Sequence, residues 1–529
     1  MKKERIHDRE VYAYDTRPAS VWELFEQTVQ NHPSREAVVY ECRRITYEEL
    51  MKQVKKISAY LHYECSLEKG DRLALLVGNR AEFIQMFLAC TSLGIIVVPL
   101  NLRSSVQELI NMMDQAEARV LFVEEGFDDV VQKWKGTHPE SLVIGTKDVD
   151  KGLLYDQFES LLHHAFPEAD YPNLQEEDPL YIMYTSGTTG LPKGAIGSHV
   201  NIIHSALHYK EVFQAKEPVR TLIAVPLFHV TGLIGQLFYM LLVGGTNVLM
   251  KRYQTGKFIE LIEKEEITFL FNVPTIYIMM LSHHTFEPEN MRSLDIAAFG
   301  GAPMSQETIE SLMKALPFIR LHNAYGATET SSPATITPKI EGFSRIASIG
   351  QPVPAGEIKV VDEDGIEVPP GEVGELFIRG PMIVPGYWKN DEANLSSFVE
   401  GYWKSGDMAM VDEKNFVYLM DRKKNIINRG GEKVFSAEVE NVLYGHKDVL
   451  EAAIVGIPDE IFGEEVKAFI VPKEGSTPTE DDIQQFMKER VADYKVPKQV
   501  VFIDHLPRNP GGKILKQRLA DVQNMKGRG

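Results

Sequence analysis

The 529-residue chain has little cysteine: Cys42, Cys65 and Cys90 stand alone, with no CxxC spacing. That excludes a disulfide framework and a zinc ribbon, and it fits a reducing cytoplasm. Positive charge is also scarce, with 56 Lys and Arg against 75 Asp and Glu and a net charge of -19. Such a surface repels phosphate backbones, so no nucleic acid is expected as a partner. There are no heptads, low-complexity tracts or repeats of 20–50 residues, which excludes coiled coils and solenoids. The opening MKKERIHDRE lacks an apolar core of the secretory type and the closing NMKGRG is not a peroxisomal SKL, so neither address is expected. From Thr221 to Met250 the chain has no Lys, Arg, Asp or Glu, but Pro226, His229, Gly232, Gly235, Gly244, Gly245 and Asn247 interrupt it. These breakers suit strand, loop, buried helix and turn better than the ~20-residue apolar span of a membrane helix. No transmembrane segment is expected, while peripheral membrane contact and a homodimer stay open.

What is present is globular: 44% apolar and 25% charged residues, enough for three or four units at roughly 150 residues each. The first 180 residues alternate helix and strand patterns. Ser20–Gln30 reads as a helix, and Thr46 with Glu49 as a capping box ahead of Leu50, Val54, Ile57 and Leu61 on one face. RLALLVG and IIVVPL read as buried strands on either side of a helix over Ala81–Leu93. Continuous apolar strands alternating with helices indicate a parallel sheet covered on both faces, and TLIAVPLF, TNVLM, ITFLFNV and LDIAAFGG repeat the theme. After about Ser348 the texture becomes β-rich, with a DG hairpin turn. The last ~105 residues read as a compact α+β domain: a helix carrying Val439, Val442 and Leu443, the strands EAAIVGI and VKAFIVP, and a second helix opening near Thr479. The fold class expected is α/β. A large N-terminal region over 1–421 has parallel-rich sheets and a β subdomain at about 348–421, and a small α+β domain follows over 422–529.

The segment LYIMYTSGTTGLPKGAIGSH, Leu180 to His199, carries the most chemistry. A predicted strand enters a loop with Gly187, Gly190 and Gly194, the hydroxyl residues Thr185, Ser186, Thr188 and Thr189, and Lys193. Glycines let backbone N–H groups converge on an anion, hydroxyls add donors, and lysine adds a compact positive charge. It is not a Walker A loop, because Pro192 precedes the lysine and Gly194 stands where Ser or Thr would bind magnesium. Phosphate binding, as part of a nucleotide, is the reading. YGATET at Tyr325–Thr330 adds a hydroxyl, Thr328, and a hard oxygen ligand of the kind Mg2+ takes, Glu329.

At the first of these strings the chain resembles the adenylate-forming superfamily of acyl-CoA synthetases, luciferases and peptide-synthetase adenylation domains, whose TSGTTGxPKG loop stands here unbroken. The resemblance runs from about Ser20 to Lys516. It implies ATP contacts at Thr185, Ser186, Gly187, Thr188, Thr189, Gly190 and Lys193, at Gly301 and Ala302 of the GGAP loop, and at Asn323, Ala324, Tyr325, Gly326 and Thr328. Glu329 would be the Mg2+ ligand, Asp407 of YWKSGD and Arg422 the ribose contacts, and Lys424 the hinge of a mobile C-terminal domain. Lys513, in PRNPGGKILK, matches the catalytic lysine, whose charge would stabilise the adenylation transition state. Its acetylation would remove that charge. Phe228 and His229, with Gly301, match the acyl pocket and its aromatic/His gate. Gly430 and Gly431 match the border of the pantetheine tunnel, and Arg252 or the adjacent Lys251 a CoA phosphate contact. Ser436-Ala437 stands where many relatives have proline.

The activity implied is an ATP- and Mg2+-dependent acid–thiol ligase that forms acyl-CoA from a carboxylic acid and coenzyme A through acyl-AMP. Lys513, Thr328, Glu329 and His229 would act in catalysis. The apolar segments Val230–Leu241 and Val273–Leu281, with Gly232 and Gly235 leaving depth, suggest a medium- or long-chain fatty acid. An aryl acid held by Phe228, Phe238 and Tyr277 is the alternative, and loading of a separate carrier protein is another. A luciferase-like oxygenase and a catalytically inert binding protein are weaker fits, the latter because all the motifs persist.

Overall fold

A computed structural model describes residues 1–147, 149–185, 192–339, 345–508, 514–516 and 518–519. They form two compact units: residues 1–304, 310–358 and 378–403 in the first, and 305–309, 359–377 and 404–529 in the second.

The first unit is built on two sheets. One has seven strands in the order Lys193–Ser198, Pro179–Thr185, Ile96–Pro99, Arg72–Leu76, Val120–Val123, Leu142–Gly145 and Asp156–Gln157. All are parallel except the first, which pairs antiparallel with Pro179–Thr185. Apolar residues of both strand faces are buried. One side packs on the helices Val106–Ala116 and Asp128–Thr137, the other on Val21–Asn31, Tyr47–Tyr63, Ala81–Leu93 and His199–Phe213. Two covered faces are what the unbroken apolar strands anticipate. In the second sheet a parallel core runs Glu36–Tyr40, Thr246–Leu249, Arg220–Ile223, Phe269–Asn272, Ile296–Gly300 and Arg320–Tyr325. Antiparallel strands flank this parallel core, Arg43–Thr46 on one side and Thr335–Ile336 then Ser348–Pro352 on the other.

Local chemistry explains the element boundaries. Ser20 caps the helix Val21–Asn31 by accepting from Glu23 N–H, and Thr46 and Glu49 form a complete capping box. Every residue of Ala81–Leu93 is buried, and its one charge, Glu82, is paired with Arg43 at 2.7 Å. Strand, helix and π-helical turn fill Thr221–Met250. Among the described residues no helix is long and apolar enough to cross a membrane. The N-terminal hairpin Lys2–Ile6 and Arg9–Ala13 is pinned to distant chain, the Arg9 guanidinium donating to the carbonyls of Ile383 (3.2 Å) and Pro385 (3.1 Å). Cys42, Cys65 and Cys90 are free, and burial pushes the Cys65 thiol up to about 12.

In the second unit a five-stranded sheet holds Glu432–Val434, Ile427–Arg429, Gly463–Pro472 and Val449–Asp459 in that order, with Gln499–Phe502 parallel to Gly463–Pro472. The helices Ser436–Tyr444 and Glu480–Lys488 bury Val439, Leu443, Ile483 and Met487 on one face of it. The expected DG turn is present at Asp364-Gly365, with Gly365 at φ +81°.

Candidate active site

In the first unit the candidate residues gather at the C-terminal ends of parallel strands, where open α/β sheets place their ligands. The strands around the glycine-rich loop end with Thr185 opposite Lys193 in register. Ser186, Gly187, Thr188, Thr189 and Gly190 themselves lie outside the described residues. Gly197 is obligatory for this hairpin, since a Cβ there would fall 2.0 Å from the Tyr181 ring.

Gly300 and Ala324 pair on the neighbouring strands Ile296–Gly300 and Arg320–Tyr325, so the GGAP loop and the Asn323–Thr330 segment leave the sheet side by side. Gly301 has φ +77°. Asn323 donates from Nδ2 to Ser348 O (3.3 Å), and its N–H donates to Thr337 Oγ1 (2.6 Å). A Cβ on Gly326 would lie 1.4 Å from Ser332 O, so only glycine permits this turn. Beyond the short helical turn Thr328–Thr330, Ser331 and Ser332 adopt left-handed φ of +47° and +94°, a strained conformation that neighbours must over-determine. Two buried tyrosines meet these serines: Tyr181 Oη lies 3.3 Å from Ser331 Oγ, and Tyr209 Oη 2.7 Å from Ser332 Oγ.

Glu329, at the centre of that turn, is 8% exposed. Its Oε1 accepts from Tyr387 Oη at 2.8 Å, and among the described residues it has no ion-pair partner. A buried carboxylate without a counter-charge is costly unless a cation completes it, and its hard oxygens suit Mg2+. No group of three or more His, Cys, Asp or Glu among the described residues could hold a metal ion alone. A cation here would therefore take its other ligands from phosphate and water, which is how Mg2+ is commonly held beside nucleotides. Lys193 Nζ sits 5.2 Å from the centre of the same Tyr387 ring.

Phe228 is buried and its ring lies 4.8 Å from that of half-buried His229. The loop before them is fastened by Asn79, which donates to Ile223 O and Val225 O and accepts from Leu227 N–H. The two glycines expected to leave depth beyond His229 do not. A Cβ on Gly232 would strike Pro226 O at 2.5 Å, and one on Gly235 the Phe271 ring at 2.7 Å; the first serves close packing on the preceding loop, the second on the strand Phe269–Asn272. Two of the three proposed ring-stacking residues are also spoken for. Phe238 packs edge-on to Phe87 in the core, and buried Tyr277 donates to Ala298 O at 2.7 Å. Of the two basic candidates for a CoA phosphate, Lys251 is paired with Glu125 at 2.6 Å, whereas Arg252 is exposed.

In the second unit Asp407 and Arg422 stand opposite each other on antiparallel strands. The buried Asp407 carboxylate meets Arg422 Nε at 2.5 Å, and its N–H donates to Ser405 Oγ. Burial, with Arg422 nearby, lowers the Lys424 ammonium below the usual lysine range. Gly430 and Gly431, at φ +60° and +94°, make the two-residue turn between Ile427–Arg429 and Glu432–Val434, which itself accounts for both glycines. Lys513 lies outside the described residues. Around it, Leu515 N–H donates to Pro507 O, Arg508 pairs with Glu451 at 2.5 Å, and Lys516 pairs with Glu440 at 2.6 Å.

Residues 25–388 match the AMP-binding enzyme family, and 438–513 match the AMP-binding enzyme C-terminal domain. The chain belongs to the AMP-binding enzyme family. This AMP-binding enzyme is 34% identical to 2-succinylbenzoate–CoA ligase of Bacillus licheniformis, over 93% of its own length and 98% of the relative's. It is equally identical, at 34%, to the fatty acid–[acyl-carrier-protein] ligase ScoC of Streptomyces coeruleorubidus, over 93% and 94%. Among solved structures, O-succinylbenzoate CoA synthetase of Bacillus subtilis in complex with ATP and magnesium superposes with a TM-score of 0.83 at 30% identity, over 94% of this chain and 98% of that one. The AMP-binding enzyme is thus an acid–thiol ligase of the adenylate-forming class, with the mixed α/β fold expected. Tyr387, Asn79, Ser331 and Ser332 escaped the sequence reading, since each acts through a partner remote in sequence or through backbone conformation.

Proposed function

We propose that this enzyme joins a medium- or long-chain fatty acid to coenzyme A in two steps. A carboxylate oxygen attacks the α-phosphorus of ATP and pyrophosphate leaves, giving acyl-AMP. The CoA sulfur then attacks the acyl carbonyl carbon, the thiol loses its proton, and AMP departs with the bonding electrons. The observation that carries the reading is the buried Glu329 beside Thr328, without an ion-pair partner among the described residues and tied through Tyr387 to the loop lysine Lys193. When bound, Mg2+ would neutralise charge on the ATP phosphates, with Glu329 as its protein ligand. Thr185, Ser186, Gly187, Thr188, Thr189, Gly190 and Lys193 would cradle those phosphates, and Gly301, Ala302 and Asn323–Gly326 would take the adenine. Asp407 and Arg422 would take the ribose, and exposed Arg252 a CoA phosphate. Lys513 would stabilise the charge that builds during adenylation, so Lys513→Ala should abolish acyl-AMP formation and spare thiolation of supplied acyl-AMP.

An aliphatic acid is favoured over an aryl acid because Phe238 and Tyr277 are held in packing and hydrogen bonding, which leaves Phe228 without the partners of a ring sandwich. Three free thiols support a cytoplasmic setting. The test is a panel of carboxylic acids read by AMP release with ATP and Mg2+, with and without CoA. A CoA-dependent signal rising with chain length bears out the proposal, and one confined to aromatic acids replaces it. Acyl-AMP that forms but ignores CoA makes a carrier protein the acceptor.

A further inference from the structure

The segment Pro381–Trp388 crosses between two parts of the site. Val384 N–H donates to the backbone carbonyl of Glu329 at 3.0 Å. Further along, Ile196 N–H donates to Gly386 O (3.0 Å) and Trp388 N–H to Gly194 O (2.7 Å), which fastens the segment to the strand after the glycine-rich loop. Tyr387 stands at the crossing. Asn394 holds its backbone from both sides, accepting from its N–H at 2.6 Å and donating to its carbonyl at 3.1 Å. Tyr387 is 5% exposed, with its ring under Lys193 and its hydroxyl on Glu329. The hydroxyl donates to Glu329 Oε1 at 2.8 Å. An ionised carboxylate can only accept, so the phenolic proton is directed at Glu329.

We propose that Tyr387 is a positioning residue for adenylation, orienting the Glu329 carboxylate towards the cation that accompanies ATP while its ring keeps Lys193 beside the phosphates. The inference rests on the reading of Glu329 as the metal ligand. A carboxylate held at one oxygen by a neutral donor presents its other oxygen in one orientation, which is what outer partners of metal ligands achieve.

Tyr387→Phe keeps the ring under Lys193 and removes only the hydroxyl. The probe is Mn2+ titrated into the enzyme–ATP complex without acid substrate and followed by electron paramagnetic resonance. Mn2+ affinity should fall ~10–100-fold, the usual cost of losing such a partner. The KM for Mg-ATP in adenylation should rise in step, while thiolation of supplied acyl-AMP, which also reports a folded enzyme, should stay within about twofold. Unchanged Mn2+ affinity in Tyr387→Phe, when Glu329→Gln weakens it, overturns the inference alone. Unchanged affinity in Glu329→Gln overturns the reading beneath it. Tyr387→Phe added to Glu329→Gln should cost nothing further, because its effect is exerted through the carboxylate; an additive loss also counts against the proposal.

Discussion

Lys516 Nζ meets the Glu440 carboxylate at 2.6 Å and Ser436 Oγ, also at 2.6 Å, three positions beyond Lys513. Ser436 in turn donates to Asp421 Oδ2 at 2.7 Å, and Glu440 accepts from Ile454 N–H. Burial pushes the Glu440 carboxyl above its ordinary range, against the pull of Lys516, so the pair is held by mutual need. Lys516→Ala should leave a buried carboxylate uncompensated and cost about 3–5 kcal/mol of stability in the second unit, measured by denaturant unfolding. Lys516→Met combined with Glu440→Leu should recover most of it. Ser436 thereby links Lys516 to Asp421.

Gly326→Ala should be far more damaging than its single methyl suggests. The added carbon would fall 1.4 Å from Ser332 O, so the turn that presents Glu329 must move. A loss of at least about 1–3 kcal/mol is expected from the overlap, with adenylation reduced on the order of 100-fold by misplacement of the turn. Melting temperature and pyrophosphate exchange, measured on the same preparation, check both.

Asp407→Asn keeps the shape of a buried side chain while removing the charge that faces Arg422. If Asp407 accepts from the ribose, loss of a charged hydrogen bond worth ~1.5–3 kcal/mol should weaken ATP binding roughly 10–150-fold. The variant should also lose its preference for ATP over the 2′,3′-dideoxy analogue. Calorimetric binding of both nucleotides checks it, and a preference that survives would remove Asp407 from the ribose site.

Three buried histidines make stability fall on the acid side. Val21 N–H donates to His199 Nδ1, Tyr14 N–H donates to His204 Nε2, and His7 Nε2 lies 2.9 Å from Ser198 Oγ. Burial lowers each ring to about 4. An unfolded chain protonates them near 6.5, so the unfolded state binds more protons between those values. Their contribution is present above about pH 6.5 and is lost as pH falls towards 4, at up to about 4 kcal/mol per pH unit for the three together. Thermal unfolding at pH 7, 5.5 and 4.5 should show the decline, with proteolysis attacking the first 20 residues earliest.

Much of the fold was legible because its signals are local or periodic. The capping box at Thr46 and Glu49, the largely apolar helix Ala81–Leu93 and the parallel strands each declare themselves within a few residues. Direction was not legible. Gly232 and Gly235 read as space, although Pro226 and Phe271 fill it, and Phe238 and Tyr277 read as pocket walls although they face packing partners. Tyr387 gave no signal, because its meaning lies in Glu329, 58 residues away.

The reach of Arg9 to the carbonyls of Ile383 and Pro385 spans up to 376 residues. At ~5–20 residues per second, synthesis leaves that guanidinium waiting roughly 20–75 s for its acceptors. The opening hairpin thus cannot complete its native contacts on the ribosome until most of the first unit has emerged. It is a late closure in biosynthesis, and in that interval its strand edges are open to whatever the nascent chain meets.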